Sequence, residues 1–271
     1  MTDFEKLKDH AKSIRINALK IISRSRASHI GSGYSCVELL TFLYGNWLNV
    51  SPQGINHPDR DRFILSKGHA AAVYYSVLAE FGFISMKDLD SYCQFGSLLG
   101  GHVHHAVAGV EISTGSLGHG LPIAVGMALA AKRNRKRYRV VALLSDGEME
   151  EGSNWEALNM ASAQRLDNLT VVVDKNGLQA MGFVKDILPM DNLGDRINSF
   201  GCAAQIIDGH NVNQIDLAFQ GIPFIKNKPS VLIANTIKGK GVSFMENKLE
   251  WHYRSPNEEQ YQKALKELES V

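Results

Sequence analysis

The chain has 271 residues, of which 44% are hydrophobic, and a formal net charge of +1 from 29 basic and 28 acidic side chains. This composition excludes a disordered protein and a protein with a basic nucleic-acid footprint over its whole surface. The longest nearly unbroken apolar run, residues 121–131, is too short to span a bilayer, and the charged start lacks a signal-peptide core. Three scattered cysteines, at positions 36, 93 and 202, favour a reducing compartment. We therefore expect a cytoplasmic globular protein with neither a membrane nor a nucleic-acid partner.

Helical and strand patterns alternate along the chain. Residues 4–26 have apolar side chains at helical spacing, and a glycine–serine turn at 31–33 separates them from a second helical stretch at 36–47. Solid apolar runs predict buried strands at 62–65, 139–144, 169–173, 204–207 and 231–234, with further helices at 70–81, 122–132, 148–163 and in the charged tail after Ser255. This alternation predicts one α/β domain over residues 1–271, in which a mainly parallel sheet lies between two helical layers.

Two basic segments need an explanation. Residues 132–139 (KRNRKRYR) carry six basic side chains, which we interpret as a solvated helix end rather than a nucleic-acid patch. Residues 238–241 (KGKG) lack the Ser/Thr and the upstream glycine of a Walker loop. We interpret this second segment as a flexible turn after a strand, in a position that suits an anion.

Polar residues follow two of the predicted strands at the point where each strand ends. Asp146 follows the strand at 139–144, and Asn176 follows the strand at 169–173. Ligands of open parallel sheets bind at this edge, where a carboxylate, an amide and a backbone carbonyl could share one hard cation. So few protein ligands predict a cation that bridges to a phosphate, beside the start of the helix at residue 148. Taken singly, Asp146 as a helix cap and Asn176 as a turn residue are the simpler explanations.

Four histidines strengthen the prediction of a functional site at this edge of the sheet. His29, His69, His102 and His252 each stand beside glycine, serine or an aromatic residue at a predicted element end. Histidines on loops that open toward one sheet edge predict a polar, proton-handling cleft. The glycine-rich run at 113–120 precedes a helix, and its bare backbone suits close contact with a phosphate or a flat ring.

Five motifs, in order along nearly the whole chain, resemble transketolase. They are SHIGS at 28–32, SKGHA at 66–70, GH at 101–102, STGSLG at 113–118, and the pair DGE at 146–148 with DKNGLQ at 174–179. The last pair is similar to the thiamine diphosphate signature, so the resemblance implies a thiamine diphosphate-binding fold. The chain resembles only the diphosphate-binding domain of that family. The pyrimidine-binding and C-terminal domains are therefore expected on a partner subunit, in an α2β2 heterotetramer.

The resemblance also implies a reaction. A two-carbon glycolaldehyde unit passes from a ketose to an aldose, with thiamine diphosphate as the electron sink and histidines that titrate near neutrality as the groups that move protons. The substrates would be sugar phosphates or other anionic sugars, whose tail groups are held largely by the partner's domains.

Each matching residue has an implied role in this family. The Mg²⁺ ligands would be Asp146, Asn176 and the carbonyl of Leu178. The implied catalytic residues are the substrate-facing His29, His102 and His252 and the interface glutamate Glu151. The implied cofactor-binding residues are His69, Gly115, Ser116, Leu117, Gly147 and Asn176.

Some positions depart from the family pattern, and two other functions stay open. Ser145 replaces a usual glycine, His119 stands where glutamine is frequent, Tyr253 replaces a common glycine, and residues 183–200 are unusual. The alternatives are the α subunit of a thiamine-dependent 2-oxo-acid dehydrogenase and a non-catalytic α/β binding module. The SKGH and STGSLG motifs favour transketolase over the first, and the retained site residues argue against the second.

Overall fold

Five parallel strands form one sheet in the centre of the computed structural model, which describes residues 3–270. The strand order is β1-β2-β3-β5-β4, and every pair is parallel. The strands are β1 (Arg62–Leu65), β2 (Val140–Ser145), β3 (Leu169–Lys175), β4 (Ala203–Asp208) and β5 (Ser230–Asn235). All five predicted strands are present, so the predicted mainly parallel sheet is confirmed.

Helices cover both faces of the sheet. They are α1 (Phe4–Ser25), α2 (Ile30–Tyr34), α3 (Val37–Phe42), α4 (Ala71–Glu80), α5 (Met86–Leu89), α6 (Gly120–Arg133), α7 (Gly152–Ala163), α8 (Val184–Ile187), α9 (Leu193–Ser199), α10 (Val212–Gln220) and α11 (Glu258–Glu269). The first helix begins after Asp3, whose side chain accepts the N–H of Lys6, and ends where Arg26 adopts a left-handed conformation. Within the described residues, no helix has the length and apolar character needed to cross a bilayer.

The core lies in two layers, one on each face of the sheet. In β2, Val141 and Leu143 pack into the layer that contains buried residues of α1, α3 and α4. Their neighbours Val140, Ala142 and Leu144 pack into the layer beneath α6 and α7. Because side chains of a strand alternate between faces, a strand covered on both sides needs apolar residues at every position. This explains the solid apolar runs of the sequence and confirms the three-layer α/β/α architecture.

Three predicted segments differ from the structure. The glycine–serine turn expected at 31–33 is wrong, because these residues lie within helix α2 (Ile30–Tyr34). The helix expected at 148–163 begins as a separate 3-10 turn (Gly147–Glu150), and α7 starts only at Gly152 because Glu151 is extended. The stretch at 36–47 is not one helix either, since α3 gives way to a π-helical turn (Leu43–Trp47). That wider turn directs Trp47 toward α10, where its indole N–H donates to the carbonyl of Phe219.

The basic segment at 132–139 begins with the last two residues of α6, in agreement with the predicted helix end, and continues through the loop before β2. Helix α6 ends at Arg133. Some of the basic side chains are paired rather than simply solvated: Lys132 with Asp167 at 2.8 Å, Lys136 with Asp59 at 2.9 Å and Arg139 with Asp61 at 2.6 Å. The segment therefore fastens the end of the helix to neighbouring loops.

Candidate active site

The carboxyl ends of the central strands surround a small cavity. Strand β2 ends at Ser145, opposite Asp174 of β3, so the loops that follow these strands start side by side. A cavity of about 220 Å³ lies at this edge. Its lining residues are His29, Ser32, His69, His102, Gly115, Leu117, Ser145, Gly147, Asn176, Leu178, Gln179, Ala180, Lys238, His252 and Tyr253. Nine of the residues proposed from the sequence line it.

Asp146 is a buried carboxylate with no ion-pair partner among residues 3–270. It is 2% exposed, and its two oxygens accept the N–H groups of Gly147 (3.0 Å) and Gly177 (2.6 Å). It therefore does cap the 3-10 turn, as the simpler explanation held. Burial, with the nearby charge of Asp174, raises the pKa of Asp146 to about 6. A carboxylate buried without a paired counter-ion is a good ligand for a cation.

Asn176 and Leu178 complete a set of oxygen ligands. The side-chain oxygen of Asn176 accepts the N–H of Leu178 at 3.1 Å, which fixes the loop. The carbonyl oxygen of Leu178 accepts from the ammonium of Lys238 at 3.1 Å, so a positive group already lies against it. One carboxylate, one amide and one carbonyl suit Mg²⁺, with its other positions filled by water and phosphate. The residues present therefore fit a divalent cation that carries a diphosphate.

A buried ion pair anchors the start of the loop of residues 174–178, which contains two of the candidate cation ligands. Asp174 and Lys67 are fully buried and bonded to each other, and Lys67 also donates to the carbonyl of Ser32 at 2.7 Å. Asp174 accepts from the hydroxyls of Ser35 (2.6 Å) and Thr236. Burial alone would raise the pKa of Asp174, but the Lys67 charge and these hydrogen bonds lower it. The sequence reasoning missed this pair, although both residues lie inside its motifs.

The four histidines meet in the cavity that Asn176 and Leu178 also line. The ring of His29 lies at the centre, with centroids 5.2 Å from His69, 5.9 Å from His102 and 5.0 Å from His252. Gly115 packs so tightly against this group that a Cβ there would lie 3.0 Å from the ring of His102. Four loops from distant parts of the chain thus build one imidazole-lined cavity.

Three of these histidines are neutral at physiological pH. Burial, with the neighbouring charges of His102 and Lys238, lowers the pKa of His29 to about 4. Burial and the Lys238 charge lower the pKa of His252 to about 3, and burial keeps the pKa of His69 well below its usual value. The expectation that these groups titrate near neutrality is therefore not met. A neutral imidazole still donates from one nitrogen and accepts at the other.

Lys238 corrects another sequence expectation. The predicted flexible turn at 238–241 is wrong for this residue, because Lys238 is 1% exposed and its ammonium donates to both Leu178 and His252. Burial, together with the charge of Lys67, lowers the pKa of Lys238 to about 8. Its position after β5, at the edge where Asp146 and Asn176 follow their strands, was the available signal.

Three proposed residues lie outside the cavity lining. Asp146 is buried between the lining residues Ser145 and Gly147. Ser116 is exposed on the glycine-rich loop, and Glu151 is exposed at the start of α7. Glu151 packs against Gly118, where a Cβ would lie 2.7 Å from the Cβ of Glu151. Gln179 and Ala180 also line the cavity, although neither was proposed as a site residue. Gln179 is the last residue of the DKNGLQ motif and donates to Glu150 at 2.7 Å, whereas Ala180 lies outside every motif.

The departures from the family pattern fit the local structure. The hydroxyl of Ser145 accepts the N–H of Glu148 at 3.2 Å, so its extra Cβ comes with a cap for the 3-10 turn. Tyr253 is 64% exposed, with its ring centroid 4.7 Å from that of His252 and 5.9 Å from that of His29. His119 is exposed at the start of α6.

Comparison with known proteins agrees with this geometry. Residues 7–268 match the family described as transketolase, thiamine diphosphate binding domain. The chain is 43% identical over 267 residues to an apulose-4-phosphate transketolase subunit of Actinobacillus succinogenes, covering 98% of this chain and 96% of that protein. It is 38% identical over 264 residues to the 6-deoxy-6-sulfo-D-fructose transketolase subunit SqwG of Clostridium sp., covering 97% of this chain and 96% of that protein.

Longer transketolases match over part of their length. Human transketolase is 37% identical over 265 residues, which are 97% of this chain and 42% of the human protein. The crystal structure of Campylobacter jejuni transketolase superposes with a TM-score of 0.92 at 28% identity, covering 99% of this chain and 43% of that one.

The fold and the site thus define a thiamine diphosphate-binding protein of the transketolase type. The chain belongs to the transketolase family, as a thiamine diphosphate-binding domain. The resemblance stated from the sequence motifs is confirmed. A 2-oxo-acid dehydrogenase subunit and a non-catalytic module are not favoured.

Proposed function

We propose that this chain is the diphosphate-binding subunit of a two-subunit transketolase that uses thiamine diphosphate and Mg²⁺ to move a two-carbon ketol unit from a ketose to an aldose. One observation carries the proposal: Asp146, a buried carboxylate without an ion-pair partner in the described part of the chain, lies beneath a cavity lined by four histidines. When bound, the cofactor supplies the electron sink for carbon–carbon bond cleavage.

The first task of the chain is to hold the diphosphate. Asp146, Asn176 and the carbonyl of Leu178 would bind Mg²⁺, which in turn neutralises the diphosphate oxygens. Gly147 would contribute its backbone, since it lines the cavity at the start of the 3-10 turn. His69, Gly115 and Leu117, which line the cavity, would form the wall on the side of the thiazolium ring. Ser116, exposed on the same loop, would contact the cofactor from outside this wall.

The second task is proton transfer at the sugar. His29 is neutral, so it can take a proton from a substrate hydroxyl or hold that hydroxyl by a hydrogen bond. His252 is also neutral, and because its Nδ1 accepts from Lys238, it can donate a hydrogen bond from Nε2 to a substrate oxygen. His102, exposed at the outer side of the cluster, would contact the part of the sugar farther from the cofactor. The cavity walls keep these imidazoles in fixed positions, so that little reorganisation is needed during the reaction.

The third task is assembly with a partner. Two relatives that match over 96% of their length are named as transketolase subunits. The segment after Ala180 is apolar and open, with Met181 82% exposed and Phe183 47% exposed directly beside the cavity. We assign this surface, and Glu151, to contact with a subunit that carries the pyrimidine-binding and C-terminal domains. Residues 1–271 would then act as one domain in a cytoplasmic α2β2 complex.

The charge of the cavity lining and the names of two relatives support a proposal for the substrate class. Those relatives are named for a ketose phosphate and a sulfonated ketose, both of which are anionic sugars. Among the described residues, no acidic side chain lines the cavity, and the lining contains the cation of Lys238. An anionic ketose donor and an aldose acceptor are therefore the proposed substrates.

The test is to purify the chain together with its partner and to follow ketose and aldose mixtures by mass spectrometry. We expect a two-carbon mass transfer that needs thiamine diphosphate, Mg²⁺ and both subunits. Turnover by the verified-pure isolated chain at the rate of the complex would contradict the two-subunit proposal. Acyl transfer to a lipoyl domain in place of ketol transfer would support the dehydrogenase alternative.

A further inference from the structure

A second hollow opens directly beside the active-site cavity. It has a volume of about 450 Å³ and shares His29, His102 and Tyr253 with the cavity. Its other lining residues are Arg26, Ala27, Ser28, Tyr92, Cys93 and Gly101. A sugar held at the histidines could therefore extend its far end into this hollow past Tyr253.

Arg26 is the source of charge in the hollow. Within residues 3–270, no acidic residue lines the hollow, and the Arg26 guanidinium forms no ion pair and donates no hydrogen bond. Nearby arginines are paired instead: Arg24 with Asp90 and Arg254 with Glu250, both at 3.0 Å. An unpaired guanidinium at the rim of a substrate site presents several N–H donors to an anion, and its planar fork matches the oxygens of a phosphate or sulfonate.

The backbone fixes where Arg26 stands. It is the residue that ends α1, in a left-handed conformation with φ of 53°, and its N–H bonds to the carbonyls of Ile22 and Ser23. Two residues later, the hydroxyl of Ser28 lies 2.9 Å from Nδ1 of His29. The end of α1 therefore links the arginine, by a short tight segment, to a histidine of the active site.

We propose that this hollow is the subsite for the anionic far end of the sugar, with the Arg26 guanidinium as its charged contact. The ligand class is a phosphate ester or a sulfonate at the sugar end distant from the reacting carbons. This inference rests on the proposed function and deepens it. The family resemblance places tail groups largely on the partner's domains, and Arg26 adds a specificity-determining contact from this chain.

The experiment compares a phosphorylated and an unphosphorylated acceptor at one ketose donor. The Arg26→Met variant in the complex should raise KM for glyceraldehyde 3-phosphate about tenfold, the lower range for a hydrogen bond to a charged group, and leave KM for glyceraldehyde and both kcat values near wild type. Arg26→Lys should restore much of the loss. Arg24→Met is the matched control, because that side chain pairs with Asp90 and does not line the hollow.

A binding measurement separates this proposal from the proposed function. Inorganic phosphate is titrated into the complex with thiamine diphosphate and Mg²⁺ present, and the ring signals of His29 and His102 are followed by NMR. Weaker phosphate binding in Arg26→Met than in Arg24→Met supports the subsite whether or not ketol transfer is found. Equal phosphate affinity in the two variants, or an equal KM change for both acceptors, overturns it.

Discussion

The ammonium of Lys238 donates a hydrogen bond to Nδ1 of His252, 2.8 Å away. Because an ammonium group can only donate, Nδ1 of His252 must be the unprotonated nitrogen, and the ring hydrogen lies on Nε2. The same ammonium also donates to the carbonyl of Leu178, a proposed Mg²⁺ ligand. Lys238 is thus a positioning residue that connects the loop of residues 174–178 to His252, which is proposed to face the substrate, and it fixes the tautomer of that histidine.

Replacing Lys238 should disturb this tautomer. In Lys238→Met we expect a mixed tautomer population for His252 and a fall in turnover of about 10–100-fold, the same range as for losing the group that orients a metal-bound histidine. Nitrogen-15 shifts of His252 measure the tautomer directly, and Lys240→Met, in a surface ion pair two residues later, is the control. An unchanged His252 spectrum in Lys238→Met would show that the lysine has no such role.

The histidines should affect turnover more than cofactor affinity. Loss of a positioned acid or base costs about 10²–10⁴-fold in rate, so His102→Ala and His252→Ala should lower turnover by amounts in that range while thiamine diphosphate affinity stays near wild type. His69→Ala should weaken both. Melting temperature, cofactor affinity and turnover are measured with the partner present. Variants that melt early yet keep full turnover per folded complex would mean that these residues are scaffold.

Stability should depend on pH through His29. Its pKa is about 4 in the folded chain against 6.5 in the unfolded chain, so between these values the unfolded state binds more protons and stability falls as the pH is lowered. His29→Asn removes this dependence and suits the left-handed backbone, where φ is 71°. When the pH falls from about 7.5 to about 5, the wild type should therefore lose more unfolding free energy than His29→Asn does. Urea unfolding at both values measures it, and a difference that does not change with pH would count against the burial argument.

Glu148 should matter for stability. Its carboxylate is fully buried and accepts from the hydroxyl of Ser66 at 2.5 Å and from the backbone of Gly118 at 3.0 Å, joining β1, the glycine-rich loop and β2. Glu148→Ala leaves these donors unpaired and should cost about 2 kcal/mol or more of unfolding free energy, because each buried unpaired group costs about 1–3 kcal/mol. The exposed Glu259→Ala is the control. Equal stability of the two variants would show that the loop does not depend on Glu148.

Four of the strands (β1, β2, β3 and β5) were predictable because they are covered on both faces, whereas the edge strand β4 is partly exposed. In β3, for example, Val171 and Val173 face one core layer and Val172 the other, so the apolar run marks the strand without further information. The separate start of α7 was not predictable from apolar spacing, since it depends on the side chain of Asp146 and the extended backbone at Glu151. Boundaries set by such local hydrogen bonds leave little trace in the hydrophobic pattern.

The site was predictable where a motif named a residue, and not where long-range contacts decide its state. His29 and His252 are 223 positions apart in sequence, yet their rings lie 5.0 Å apart. Burial at this site, with the charge of Lys238 among the smaller causes, lowers the pKa of both. From the sequence around one histidine, only the ordinary pKa of an imidazole can be predicted. The prediction for Lys238 was wrong for a related reason. The glycine that follows Lys238 suggests a flexible turn, but the lysine is held by its hydrogen bonds to Leu178 and His252.

The most direct test of the account is a calorimetric titration of thiamine diphosphate, with Mg²⁺, into the complex of this chain and its partner. Wild type should bind in a Mg²⁺-dependent manner, and Asp146→Ala should bind at least about tenfold more weakly, since losing even an outer-shell partner of a metal ligand costs about 10–100-fold. Asp146→Asn, which keeps an oxygen ligand and fits the same space, should lose less. Cofactor affinity that is equal in wild type and Asp146→Ala at every Mg²⁺ concentration would place the diphosphate elsewhere and contradict the account.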